Sequence, residues 1–122
     1  MTYLSPDISG ETPVCTEWTV VDTSTGDNDD VAPAKAGETG KHHYITFIAV
    51  SCDNTSSGNT VIATLADGPT TYLVLWPIHY NTNQIYNFTF PIKMAVAKTA
   101  TLTVAMGGTD DVVSATIGGF TR

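Results

Sequence analysis

From residue 43 onward, apolar and polar side chains alternate in short runs broken by turn residues. A period of two puts successive side chains on opposite faces, so this pattern confines the chain to β-strands. Ile45, Phe47 and Ala49 alternate with Thr46, Ile48 and Val50, and both sets are largely apolar. That run reads as a central strand covered on two sides. After the turn-forming stretch 53–59 comes Thr60 to Ala66, and Asp67-Gly68-Pro69 turns it into Thr70 to Trp76. These two runs read as a hairpin. Pro77 pushes the second toward an edge or a bulge. Ile85 to Phe90 alternates until Pro91, which is expected to end it. Thr99 to Met106 and Val112 to Ile117 flank Gly107-Gly108-Thr109-Asp110-Asp111, which reads as a hairpin loop. An earlier strand, Glu17 to Asp22, has Trp18 and Val20 on its inner face.

Seven to eight short strands and no helical period predict an all-β, antiparallel β-sandwich. A jelly-roll-like arrangement is favoured over an immunoglobulin-like one, because paired cysteines around a tryptophan are missing. The expected core is Ile45, Phe47, Ile62, Leu65, Leu73, Leu75, Phe88, Leu102, Val104 and Ile117. The longest expected loop is 23–42.

At 122 residues the chain has the length of one domain. Only 14% of it is charged, against a usual share of about 25%. Threonine fills the gap at 21 positions, and its β-branched side chain suits a half-buried strand. The net charge of −7 argues against nucleic acid, which needs clustered Lys and Arg. All of that charge falls in residues 1–40: Asp7, Glu11, Glu17, Asp22, Asp27, Asp29, Asp30 and Glu38 stand against Lys35 alone. Residues 41–122 are neutral, with four acids and four bases. The expected organisation is an acidic N-terminal arm and long loop over 1–40, with one strand near 17–22, followed by a sandwich body over 41–122.

The start of the chain has neither the basic nor the apolar region of a signal peptide, and the longest apolar stretch is too short to span a bilayer. Cys15 and Cys52 are expected to be two separate, partly buried thiols of a protein made in the cytosol.

Motifs that carry chemistry are few. Asp27-Asn28-Asp29-Asp30 with Glu38 places a Glu at the twelfth position of a calcium loop. Val31 then falls at a ligand position and Ala32 replaces the required glycine, so the segment reads as a solvated acidic loop. His42 and His43 are adjacent and point to opposite strand faces, which excludes one shared metal. No nucleophile elbow, phosphate loop or dinucleotide fingerprint is present. These readings predict no catalytic residue, no metal, no cofactor and no enzymatic activity. Tyr80-Asn81-Thr82-Asn83-Gln84, a polar loop beside aromatics, is the best place for a ligand, with Trp76, Tyr80, Asn81 and Asn83 as its candidates.

From about Lys41 to Phe120 the order of segments resembles a family of small phage virion proteins. The carrying segments are Ile48-Ala49-Val50-Ser51, Leu65-Ala66-Asp67-Gly68, Phe90-Pro91-Ile92, the strand from Ala100 to Gly107, and a final Ile117-Gly118-Gly119-Phe120. The resemblance implies a head decoration (cement) protein, which binds the assembled phage capsid and stabilises it. It further implies assembly in the host cytoplasm, a place on the capsid surface, and the major capsid protein as partner. The alternative is a carbohydrate- or receptor-binding module of a tail fibre or surface appendage. A domain of 12.9 kDa has little surface for a contact of about 1,000 Å², so an extended segment or self-association must add to it. Residues 1–16 are therefore expected to cross to a neighbouring subunit or the shell, with Tyr3, Leu4, Ile8 and Val14 as anchors. A homo-oligomer is expected, with a trimer favoured for a three-fold capsid axis; neither a membrane nor a nucleic acid is an expected partner.

Overall fold

The computed structural model describes residues 15–24, 30–54, 60–79, 82–105 and 111–122, with backbone only at 53, 54, 60, 61, 75–79, 82, 111 and 112. It contains eight strands: β1 (Thr16–Thr23), β2 (Ala34–Lys35), β3 (His43–Asn54), β4 (Thr60–Ala66), β5 (Thr71–His79), β6 (Thr82–Lys93), β7 (Ala100–Ala105) and β8 (Asp111–Thr121). No helix occurs among the described residues. The strands form two four-stranded sheets, ordered β1-β8-β3-β6 and β2-β7-β4-β5, and every pairing is antiparallel.

The pairings nest. The first strand pairs with the eighth, the second with the seventh, the third with the sixth and the fourth with the fifth. Such nesting is a long hairpin rolled into two layers, the jelly roll expected from the sequence. Between the layers lies a core of aliphatic side chains, among them Val31, Ile45, Ile48, Leu65, Leu102, Val104 and Ile117, with Trp18, Val20, Leu73, Phe88 and Ile92 packed partly against it. Pro77 lies in β5, the edge strand of the second sheet, next to a register shift between Val61 and Ala63.

Several expectations give way to the tertiary structure. Ile62 is 44% exposed rather than internal. Positions 62 and 65 differ by three and cannot share a strand face; Ala63 and Leu65 take the inside. Phe47 is only half-buried, because a bulge between Ile45 and Phe47 inserts one residue and turns it outward while Ile45 and Ile48 face in. Leu75 lies among residues whose side chains are not described. β6 does not end at Pro91 but runs to Lys93. Its pairing jumps from Ile92 opposite Ile45 to Asn87 opposite Phe47, so residues 88–91 stand out of the ladder and the missing proline N–H costs no bond.

Segment 23–42 is not one loop: Val31 bridges Val104, fully buried, and β2 joins β7. The run before and the run after 107–111 do not form a hairpin either, since β7 and β8 belong to opposite sheets. Alternation marks a strand but not its partner. Finally, β3 is central in its sheet but covered on one side only among the described residues. Cys52 is buried and Cys15 exposed, and both are thiols rather than halves of a disulfide.

Candidate functional site

The register of the first sheet places three rows of side chains on its outer face. Val21, Thr116, Ala49 and Ile85 form the middle row; Thr23, Ser114, Ser51 and Asn83 lie on one side of it, and Thr19, Gly118, Phe47 and Asn87 on the other. None of these twelve positions is charged, although the chain carries −7. Val21 and Ile85, on the two edge strands, are 58% and 65% exposed. The field is uncharged across four strands, with exposed apolar Val21 and Ile85 set among hydroxyl and amide side chains.

Hydroxyls stitch the field together. Thr23 Oγ1 donates to Ser114 Oγ (3.1 Å), and Ser51 Oγ donates to Asn83 Oδ1 (2.5 Å). Across β8, β3 and β6 the face dips into a groove of about 240 Å³ lined by Ala49, Ser51, Asn83, Ile85, Ser114 and Thr116. Phe90, in the β6 bulge, is 85% exposed.

At one end of the face the chemistry changes. Tyr44 stands in register with Phe120 on one side and Lys93 on the other, and its ring stacks on Phe120 at 4.8 Å. The Lys93 ammonium lies 6.0 Å and the Arg122 guanidinium 5.4 Å from the Tyr44 ring centre, within cation–π range. His42 closes the cluster at its edge, 6.4 Å from Tyr44. A backbone carbonyl can only accept, so His42 Nδ1 donates to Met94 O at 2.8 Å.

Two buried polar groups lie apart from this face and are satisfied internally. His43 Nε2 donates to Ala36 O (2.8 Å), so Nδ1 accepts from the Thr121 hydroxyl (2.6 Å), whose oxygen accepts the Trp18 indole N–H (2.8 Å). This network ties β1, β3 and β8 to the chain before β3. Asp67 ends the β4 strand and is 2% exposed. Its Oδ2 accepts from the Tyr72 hydroxyl (2.6 Å) and the Ala95 N–H (3.0 Å). Burial alone pushes its carboxyl up, but the Tyr72 and Ala95 bonds, the Lys98 charge and the Thr70 backbone together hold it below the usual carboxylate range. The Tyr72 phenol is pushed up, first by donating to Asp67 and then by burial. Both groups are bonded within the fold, and neither lines the groove on the outer face.

Of the residues expected to anchor the arm or line a ligand loop, only Asn83 has a described side chain, and it lines the groove. Tyr3, Leu4, Ile8, Val14, Tyr80 and Asn81 lie outside the described residues, as does the side chain of Trp76. Thr16 belongs to β1, so a detachable arm would end before it. Asp27 and Asp29 are also outside, while Glu38 is engaged by Lys35 (3.6 Å) and Lys41 (3.7 Å). Among the described residues no group of three His, Cys, Asp or Glu could hold a metal ion. The sequence showed β3 apolar on both faces, but the rows that assemble Val21, Phe47, Ile85, Thr116 and the Tyr44 cluster exist only through pairing register. Comparison with protein-family models and with curated proteins yields no match for the chain.

Proposed function

We propose that this chain is a non-enzymatic structural protein that docks on a protein surface through the outer face of its first sheet. In its specific form the proposal is a phage head decoration protein that binds the assembled capsid and stabilises it, as a homo-oligomer with a trimer favoured. The observation that carries docking is β3: its sequence is that of a strand covered on both sides, yet among the described residues its outer face is only partly covered, with Tyr44, Phe47 and Ala49 half-buried and Ser51 exposed. A partner supplies the second cover. The virion assignment rests on the resemblance of segment order and on the jelly roll, an architecture common in viral shells; that support is fold-level analogy.

The test mixes purified protein with undecorated phage heads. Stoichiometric binding with a rise in capsid melting temperature is expected, and the Ile85→Lys variant is expected to bind no longer. A wild-type protein that associates with no shell sinks the decoration reading. The carbohydrate-module alternative has its own footing in the groove, where Ser51, Asn83 and Ser114 place hydroxyls and an amide beside the apolar Ile85. Selective binding on a glycan array, abolished by Asn83→Ala, would favour it.

A further inference from the structure

The five bases of the chain divide unequally. Lys35 and Lys41 pair with Glu38, and Lys98 acts on Asp67. Lys93 and Arg122 form no salt bridge with a carboxylate among the described residues, and both converge on one ring, that of Tyr44. Glu17, in register with Phe120 on β1, is the nearest acid in that row and pairs with neither. Two cations without a salt-bridge partner among the described residues, each within cation–π range of the same ring, make a positive patch in a chain of net charge −7. An aromatic body, a guanidinium and an apolar field alongside are also the residue types that dominate protein contacts.

We propose that the Lys93–Arg122–Tyr44–Phe120 cluster is a binding site for a carboxylate carried by an acidic segment of a partner protein. The inference rests on the docking reading and names the chemistry of its partner. Arg122 offers a planar pair of N–H donors that match a carboxylate, and Lys93 adds a point charge from the other side of Tyr44. Tyr44 and Phe120 hold the two cations in place, stacked on each other and flanked by the charges, so little ordering is left for the binding step. Phe120 stacks on one face of the Tyr44 ring and the two cations lie beside it, which leaves Tyr44 a poor platform for a sugar and favours a peptide carboxylate over an acidic saccharide.

The test uses the full chain, isotopically labelled, and follows the backbone amides of residues 44, 93, 120 and 122. The probes are acetyl-Glu-Val-Glu-amide, its Gln-Val-Gln counterpart and glucuronate. The Glu peptide is expected to shift these amides saturably, the Gln peptide not to, and about 0.5 M salt to abolish the effect. Lys93→Gln and Arg122→Gln are each expected to weaken binding by roughly tenfold, the loss of one charge-assisted bond, with an unchanged melting temperature. Equal response to the Glu and Gln peptides, no response to either, or indifference to both substitutions overturns the proposal. Tighter binding of glucuronate than of the Glu peptide overturns it in favour of a sugar. If Lys93→Gln/Arg122→Gln protein still decorates capsids at wild-type affinity, the carboxylate site falls while the docking reading stands. If wild-type protein binds the peptide but no capsid, the reverse holds.

Discussion

At Gly119 a β-carbon would run into the carbonyl oxygen of Tyr44, and at Gly118 it would run into the ring of Phe47. The two collisions differ in kind, since a backbone carbonyl in a central ladder cannot move while a side chain can swing aside. Gly119→Ala is expected to cost about 3–4 kcal/mol and Gly118→Ala about 1–2 kcal/mol. Urea unfolding of both variants checks the order, and an equal or reversed cost would refute the assigned contacts. Asp67 sets a second expectation. Its carboxyl is held below the ordinary value of about 3.9, so its contribution is present above that value and is lost as pH falls through the lowered one. Replacing it by Asn leaves Tyr72 and Ala95 with a weaker acceptor, and about 2 kcal/mol should be lost at neutral pH. Thermal melts across the acid range should show that gap closing below about pH 4; a gap constant with pH would mean the charge is not what stabilises the site.

Among the elements, the bulges and the short strands carry the specificity. The extra residue between Ile45 and Phe47 lets β3 keep Ile45, Ile48 and Val50 in the core while handing Phe47 to the outer face. Opposite it, residues 88–91 leave the ladder, which accommodates Pro91 and presents Phe90 to solvent. At the far side of the sandwich Val31 exchanges two backbone bonds with Val104, of 3.1 and 2.7 Å, and fills the core beside β7. With the Leu102 N–H donating to Pro33 O (3.1 Å), Val31 extends along β7 the cover that the two-residue β2 only begins. Val31→Ala is expected to cost about 2 kcal/mol, with hydrogen exchange at the Val104 amide rising more than at Leu102. Uniform loss of protection across both sheets would show instead that Val31 serves the whole core and not that edge.

For the whole molecule, the outer face of the first sheet separates stability from association. Ile85 is 65% exposed, so Ile85→Lys should change unfolding free energy by no more than about 0.5 kcal/mol. A lysine there inserts a charge into the middle of an uncharged row, which a partner would have to desolvate. Capsid binding and any self-association through this face should fall together, as measured by co-sedimentation and analytical ultracentrifugation. Unaltered association with unaltered stability would remove the face from the proposal.

Most strand positions, the all-β class, the turn at Asp67-Gly68 and the inward set Ile45, Leu65, Leu102, Val104 and Ile117 were legible in the sequence, because side-chain alternation and turn chemistry are local properties of the backbone. Which strands pair was not legible. Alternation is the same whether β7 meets β8 or β4, and only burial of both sheets' apolar faces at once selects the nested order of the jelly roll. The bulges escaped for the same reason: an extra residue in β3 leaves no mark on composition but reverses every side chain beyond it. Val31, in a segment rich in turn residues and acids, gave no periodic signal, and its place in the core follows from a single long-range bridge. The candidate face lies wholly on that second level. Val21, Thr116, Ala49 and Ile85 are dozens of residues apart in the chain, and Lys93 and Arg122 meet at Tyr44 only because the third, sixth and eighth strands are hydrogen-bonded neighbours.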